Sequence, residues 1–174
     1  MTAVAANTIS LAASQSITIR PARSDDCEAI VRMIRALAIY QGVGERVTVK
    51  ADVLRREGFG QSPKFEALLA ESNGMPVGLA MFQTHFACWD GTSSLQITDL
   101  FVDEAVRGTG VGFRLVRDVG RIARERGCVG LQLNMVHANP SRLSLDRMGF
   151  VHQDDLLHYR LDAPGLKKLM EMER

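Results

Sequence analysis

Cysteine is scarce: Cys27, Cys88 and Cys128 form an odd, widely spaced set with no C-x-x-C pair. That excludes a disulfide framework and a thiolate zinc site, and the three read as reduced thiols of a cytoplasmic protein. An excess of either charge is also missing. Lysine and arginine number 21 against 20 acids, a formal net charge of +1, so no global field draws the chain to nucleic acid or anionic lipid. No apolar run approaches the ~20 residues of a membrane helix. Residues Met1–Ser16, rich in Ala, Ser and Thr, lack the basic start and long apolar centre of a secretion signal. With Arg20 and Arg23 following and no acid before Asp25, a transit peptide stays open; the expectation is a flexible tail over 1–16. Repeats and linkers are absent too. The hydrophobic content of 46% and charged content of 24% are those of an ordinary globular domain, so 17–174 reads as one domain.

What is present is a strand-like run, Ile97-Thr98-Asp99-Leu100-Phe101-Val102, followed by Arg107-Gly108-Thr109-Gly110-Val111-Gly112. Beyond it Phe113, Leu115, Val116, Val119, Ile122 and Ala123 recur at helical spacing. Strand, glycine turn and helix N-terminus together make an anion cradle. Small residues admit close approach, the first N–H groups point outward, and the helix dipole adds positive potential. The bland alternative is a tight connection that binds nothing. Two other phosphate motifs are excluded. No lysine followed by Ser or Thr comes after the last glycine, so this is not a P-loop. A dinucleotide fingerprint needs its glycines after the first strand and an acid about twenty positions on, and Glu125 comes too early, on the helix itself.

The remaining pattern places the cradle. Ile17–Arg20 alternates as a strand stopped by Pro21; Ser24 or Asp25 caps a helix through Tyr40, broken by Gly42-Val43-Gly44. A shorter helix is expected over Lys50–Arg56, ended by Gly58-Phe59-Gly60. Strands follow over Phe65–Glu71 and Pro76–Phe86, joined by a Ser72-Asn73-Gly74 turn, and then Ser94–Val102. The cradle helix spans Gly110–Arg126, Val129–Asn134 is a strand, and Pro140 opens a short helix to Met148. A final strand pair over 150–153 and 156–161 and a helix opened by Pro164 complete the chain. Antiparallel strands combined with a β-α-β unit argue a mixed α+β sheet flanked by helices.

The pattern Arg/Gln-x-x-Gly-x-Gly/Ala of Arg107–Gly112 resembles the acetyl-CoA pyrophosphate loop of the GNAT superfamily of N-acetyltransferases. Further segments resemble its diamine (spermidine/spermine-type) branch: Ile19-Arg20-Pro21-Ala22, Leu37-Ala38 with Tyr40, Glu57-Gly58-Phe59-Gly60, Phe65–Glu71, Trp89 with Gly91, Asp99–Val102, and Pro140-Ser141 with Gly149. The resemblance spans roughly residues 17 to 162. It implies a sheet whose strands ending at Val102 and covering 129–134 splay apart, so that Leu100, Phe101 and Val102 pair with the pantetheine arm. It implies acetyl-CoA held by Arg107, Gly108, Thr109, Gly110, Val111 and Gly112, with Asn139 (or, on another alignment, Ala138) and Ser141 alongside. Tyr40, Gln41, Trp89 and Thr98 fall at acceptor positions. A homodimer paired through the sheet edge and C-terminal strands is also implied.

The departures bear on chemistry. The family tyrosine that protonates the leaving thiolate falls at Leu145, and leucine donates no proton. The glutamate before Asp99 is Thr98, the acid after Tyr40 is Gln41, and Ala87 and Cys88 replace an acid before Trp89. Polyamine recognition needs several carboxylates for several ammonium groups, so the expected acceptor is a small primary amine other than a typical polyamine. Asp99 is a candidate to hold a basic water, or simply a strand-end carboxylate. The oxyanion donor is expected at the N–H of Phe101 or Val102. Ser144, Tyr159 and His158 are the candidate acids, each with a surface alternative. His85 and His137 with Cys88 or Cys128 fit no metal-ligand spacing, so no metal is expected. Trp89 lines the acceptor pocket or caps the core, and Met33, Met81, Met135 and Met148 read as packing. Two other functions fit the same residues: a CoA-binding sensor without turnover, and an acetyltransferase acting on proteins.

Overall fold

The computed structural model describes residues 16–135, 139, 141–155 and 157–172. They fall into two compact units, Met1–Asn139 and Pro140–Arg174. The expected tail up to residue 15, His137, Ala138 and the helix-opening Pro140 lie outside the described residues.

The first unit runs β1 (Ile17–Pro21), α1 (Cys27–Tyr40), α2 (Ala51–Phe59), β2 (Glu66–Ser72), β3 (Met75–Ala87), β4 (Thr92–Val102), α3 (Val111–Glu125) and β5 (Gly130–Leu133). The sheet order is β1-β2-β3-β4-β5, antiparallel at the first three junctions and parallel between β4 and β5. This is the mixed α+β sheet that the pattern of elements predicts. Asn73 (φ 51°) and Gly74 (φ 75°) turn the β2–β3 hairpin, both in the left-handed region that Asn and Gly tolerate.

Helices lie on both faces of the sheet. Cys27, Ile30 and Met33 of α1 and Leu54 of α2 share one core with Ala67, Leu69, Leu79, Met81 and Phe101. The other face carries α3, whose Val111 and Leu115 side chains lie 3.2 Å from where a Cβ at Gly78 would sit. Residues of β2 are therefore buried on both sides, and the strand reads as a continuous apolar run, Ala67–Ala70. Burial pushes the Cys27 thiol up, which suits packing and not nucleophilic chemistry. Phe113 is 51% exposed and lies off the packed stripe of α3 that its spacing predicted.

Two local expectations change. Neither Ser24 nor Asp25 caps α1; a 3-10 turn over Ser24–Asp26 leads in, and Asp26 accepts the Arg23 N–H at 2.7 Å. Arg20 holds that carboxylate through both Nη atoms at 2.7 and 2.9 Å and reaches Glu71 at 2.6 Å. The guanidinium keeps Asp26 below the ordinary carboxylate range. The second helix does not stop at Arg56 but runs to Phe59. Gly58 lies inside it, because a Cβ there would run into the Phe65 ring.

The second unit holds α4 (Arg142–Arg147) and α5 (Ala163–Met170), with Asp162 capping α5 through the Gly165 N–H at 2.9 Å. Residues 150–153 and 157–161 are in no strand, contrary to expectation; Val151, Leu157 and Tyr159 are 76–85% exposed. Alternation supplies a strand with two faces but not with a partner edge, and among the described residues no edge pairs with these.

Candidate active site

The site is built where β4 outruns its neighbour. β5 pairs with β4 only from Ser94↔Gly130 to Ile97↔Leu133, while β4 continues to Val102. A bulge at Thr98 marks the change, since Phe82 faces Ile97 and Met81 already faces Asp99. Asp103 donates its N–H to the Val77 carbonyl on β3 at 2.8 Å. Alternation along the strand then turns Phe101 toward β3 and directs the N–H and C=O groups of Leu100 and Val102 to the side that β5 leaves unpaired. Of the two main-chain donors expected, Val102 has its N–H on that edge and Phe101 does not.

The chain next makes a short 3-10 turn over Glu104–Val106 and enters the glycine segment. Gly108 (φ 78°) and Gly110 (φ 86°) occupy the left-handed region, and a Cβ built at either meets no heavy atom within 4 Å. No side chain caps α3 at Gly110. The first N–H groups of a 15-residue helix therefore face an open, glycine-lined turn, the arrangement that holds an anion. Thr109 is fixed by its hydroxyl to the Val106 carbonyl at 2.7 Å. These features fit a diphosphate.

Arg107, which opens the segment, donates its Nε–H to the Val102 carbonyl at 3.0 Å. Its guanidinium carbon lies 4.6 Å from the centroid of the Tyr40 ring, at the end of α1. Two residues assigned to different substrates by sequence thus touch. Gln41 follows Tyr40 directly and is half-buried.

Asp99 lies two residues before Phe101 on β4. The period of two puts both on the face that α1 and α2 cover. Burial raises the Asp99 carboxyl above the ordinary carboxylate range, and a hydrogen bond from Thr98 offsets part of that shift. The Thr98 hydroxyl also lies 3.4 Å from the Met81 carbonyl, so Thr98 is a bulge residue beside Asp99.

Other candidates stand apart. Trp89, at the β3–β4 hairpin tip, is fully exposed; it neither caps the core nor lines a pocket within this unit. Cys88 beside it is exposed and Cys128 half-buried. Met33 and Met81 are core residues. Asn139 closes the first unit. Ser141 precedes α4, Ser144 is exposed on α4, Leu145 is buried, and Tyr159 is 85% exposed, all in the second unit. Among the described residues no three His, Cys, Asp or Glu side chains gather as a metal site. Sequence reasoning missed the Arg107–Tyr40 stack and the Thr98 bulge. A long-range ring contact leaves no periodic signal, and a one-residue bulge only interrupts one.

Comparison with known proteins bears on the family and the fold. The acetyltransferase (GNAT) family matches residues 34–150. Thialysine N-epsilon-acetyltransferase of Sus scrofa is 32% identical over 138 residues, covering 75% of this chain and 81% of that one. Spermidine/spermine N(1)-acetyltransferase-like protein 1 of Homo sapiens is 32% identical over 117 residues, covering 63% of this chain and 17% of that protein. An integron cassette protein from the mobile metagenome of V. cholerae shares the fold, with a TM-score of 0.75 at 22% identity, covering 90% of this chain and 99% of that one.

Proposed function

The chain belongs to the acetyltransferase (GNAT) family and is an N-acetyltransferase; from that premise we propose that it moves the acetyl group of acetyl-CoA to the primary amine of a small molecule other than a typical polyamine. The observation that carries the reading is the uncapped, glycine-lined N-terminus of α3 beside the open edge of β4. Val111 and Gly112 with the preceding glycines and Arg107 take the diphosphate, and the β4 edge that carries Leu100 and Val102 lies along the pantetheine arm, with the Val102 N–H kept for the thioester carbonyl. The family resemblance assigns Asn139 and Ser141 to the donor as well. The relatives' names point to amines on small molecules, and the single half-buried Asp99 suits an acceptor with one ammonium group better than a polyamine.

The reaction needs a neutral amine. Asp99, with its raised pKa, takes the amine proton directly or through a water. The nitrogen lone pair then attacks the thioester carbonyl, the Val102 N–H receives the developing oxyanion, the C–N bond forms and the C–S bond breaks. The CoA thiolate resembles a cysteine thiolate, with a pKa of about 8.5, and leaves without obligatory protonation. Ser144 and Tyr159 are the side chains assigned to proton return. Tyr40, Gln41, Trp89 and Thr98 contribute to the acceptor side, and the chain works as a homodimer. The absence of a helix among the described residues long and apolar enough to cross a membrane is compatible with work in the cytoplasm.

The test is thiol release from acetyl-CoA across a panel of monoamines, amino acids with side-chain amines, polyamines and peptide N-termini. Release with small monocationic amines is expected. Tight CoA binding without release from any amine would leave a sensor, and release with peptides alone would leave a protein acetyltransferase.

A further inference from the structure

We infer that Tyr40 is a positioning residue for Arg107, holding its guanidinium for the donor diphosphate from the far end of α1. The inference rests on the reading of Arg107–Gly112 as the donor site. Three contacts support it. Arg107 lies over the Tyr40 ring with its Cζ 4.6 Å from the centroid. Its Nε–H is spent on the Val102 carbonyl at 3.0 Å. Its two Nη groups carry no protein acceptor among the described residues, and they are the part of the side chain left for a phosphate.

An exposed arginine side chain has many rotamers, and binding an anion must freeze them. Here the ring fixes the plane of the guanidinium and the carbonyl fixes its in-plane direction, before any anion arrives. The backbone that carries the ring is held. Tyr40 is the last residue of α1, and the helix closes behind it with Gly42 at φ 72°. The Gly42 N–H bonds the Ile39 carbonyl at 3.0 Å and the Val43 N–H bonds the Ala38 carbonyl at 2.8 Å, a Schellman closure. Tyr40 therefore serves the donor side as well as flanking the acceptor side, and it links α1 to the donor cradle.

The test is a mutant cycle read on the full chain by calorimetric CoA affinity, with calorimetric affinity for S-acetylpantetheine, which lacks the diphosphate, measured beside it in the absence of acceptor. Tyr40→Leu should weaken CoA about two- to fivefold, the range for a cation–π contact at an exposed site. Tyr40→Phe, which keeps the ring, should bind as the parent does. Adding Tyr40→Leu to Arg107→Ala should cost nothing further, and the calorimetric affinity for S-acetylpantetheine, measured without acceptor, should not move in Tyr40→Leu. Parent-like CoA affinity in Tyr40→Leu, additive losses in the double variant, or an equal loss toward S-acetylpantetheine overturns the inference while leaving the donor site standing. A parent chain that does not bind CoA overturns the donor site and the inference with it.

Discussion

Ile97 and Leu133 form the last rung of the parallel β4–β5 ladder, and β4 runs five residues past it to Val102. Everything assigned to the donor follows from that early end. The bulge at Thr98 re-registers the strand, Leu100 and Val102 turn their backbone groups to the side that β5 leaves unpaired, and the glycine turn delivers the N-terminus of α3 alongside.

Val102→Pro tests the edge directly. A proline there removes only an N–H that β3 does not use, so the strand can keep its ladder. The expected result is a fall in kcat of about 10²–10³, the usual cost of an oxyanion donor, with CoA affinity changed by less than about threefold. Equal losses in kcat and CoA affinity would assign that N–H to donor binding instead.

Gly110→Glu tests the cradle. The φ of 86° strains any side chain, and the carboxylate would project into the open turn against the incoming diphosphate. CoA binding by calorimetry should disappear while circular dichroism still reports a folded chain. Gly110→Ala separates strain from charge: it should retain measurable binding.

The strand, glycine turn and helix around Arg107–Gly112 were legible because their signal is local: glycine spacing, a strand before and a helical stripe after. The sheet order was legible for the same reason, through the Ser72-Asn73-Gly74 turn and the alternation of β2 to β4. Gly58 misled because glycine ends helices more often than it packs inside them, and only the Phe65 ring explains its place. Residues 150–161 misled because their alternation names no partner edge. The Arg107–Tyr40 contact joins residues far apart in the chain, and neither residue type alone announces it.

Ser144→Ala and Tyr159→Phe test proton return to sulfur. A thiolate whose acid has a pKa of about 8.5 is a good enough leaving group to depart unprotonated and take its proton from water afterwards, so each variant should keep kcat within about tenfold of the parent. A loss beyond about 10² in one of them, with a lost basic limb in its pH profile, identifies that hydroxyl as an obligatory acid.

Asp99 links catalysis to stability. Its carboxyl ionises at the ordinary 3.8 in the unfolded chain and at a higher pH in the folded one, where burial disfavours the charge. Below 3.8 both states hold the proton and Asp99 has no pH-dependent effect. As pH rises through the folded pKa, the unfolded chain has already lost its proton, so ionisation favours unfolding and stability falls. Asp99→Asn removes that loss. Its Tm should exceed the parent's at pH 7, and the gap should close as the pH drops below about 4. The same variant should lose about 10²-fold in kcat/KM, and the acidic limb of the pH–rate profile should vanish with it. A residue kept at a cost to stability and needed for turnover is the expected signature of a base in a half-buried site. If Asp99→Asn instead destabilised the chain at pH 7 and left kcat/KM unchanged, Asp99 would be a structural carboxylate at the strand end.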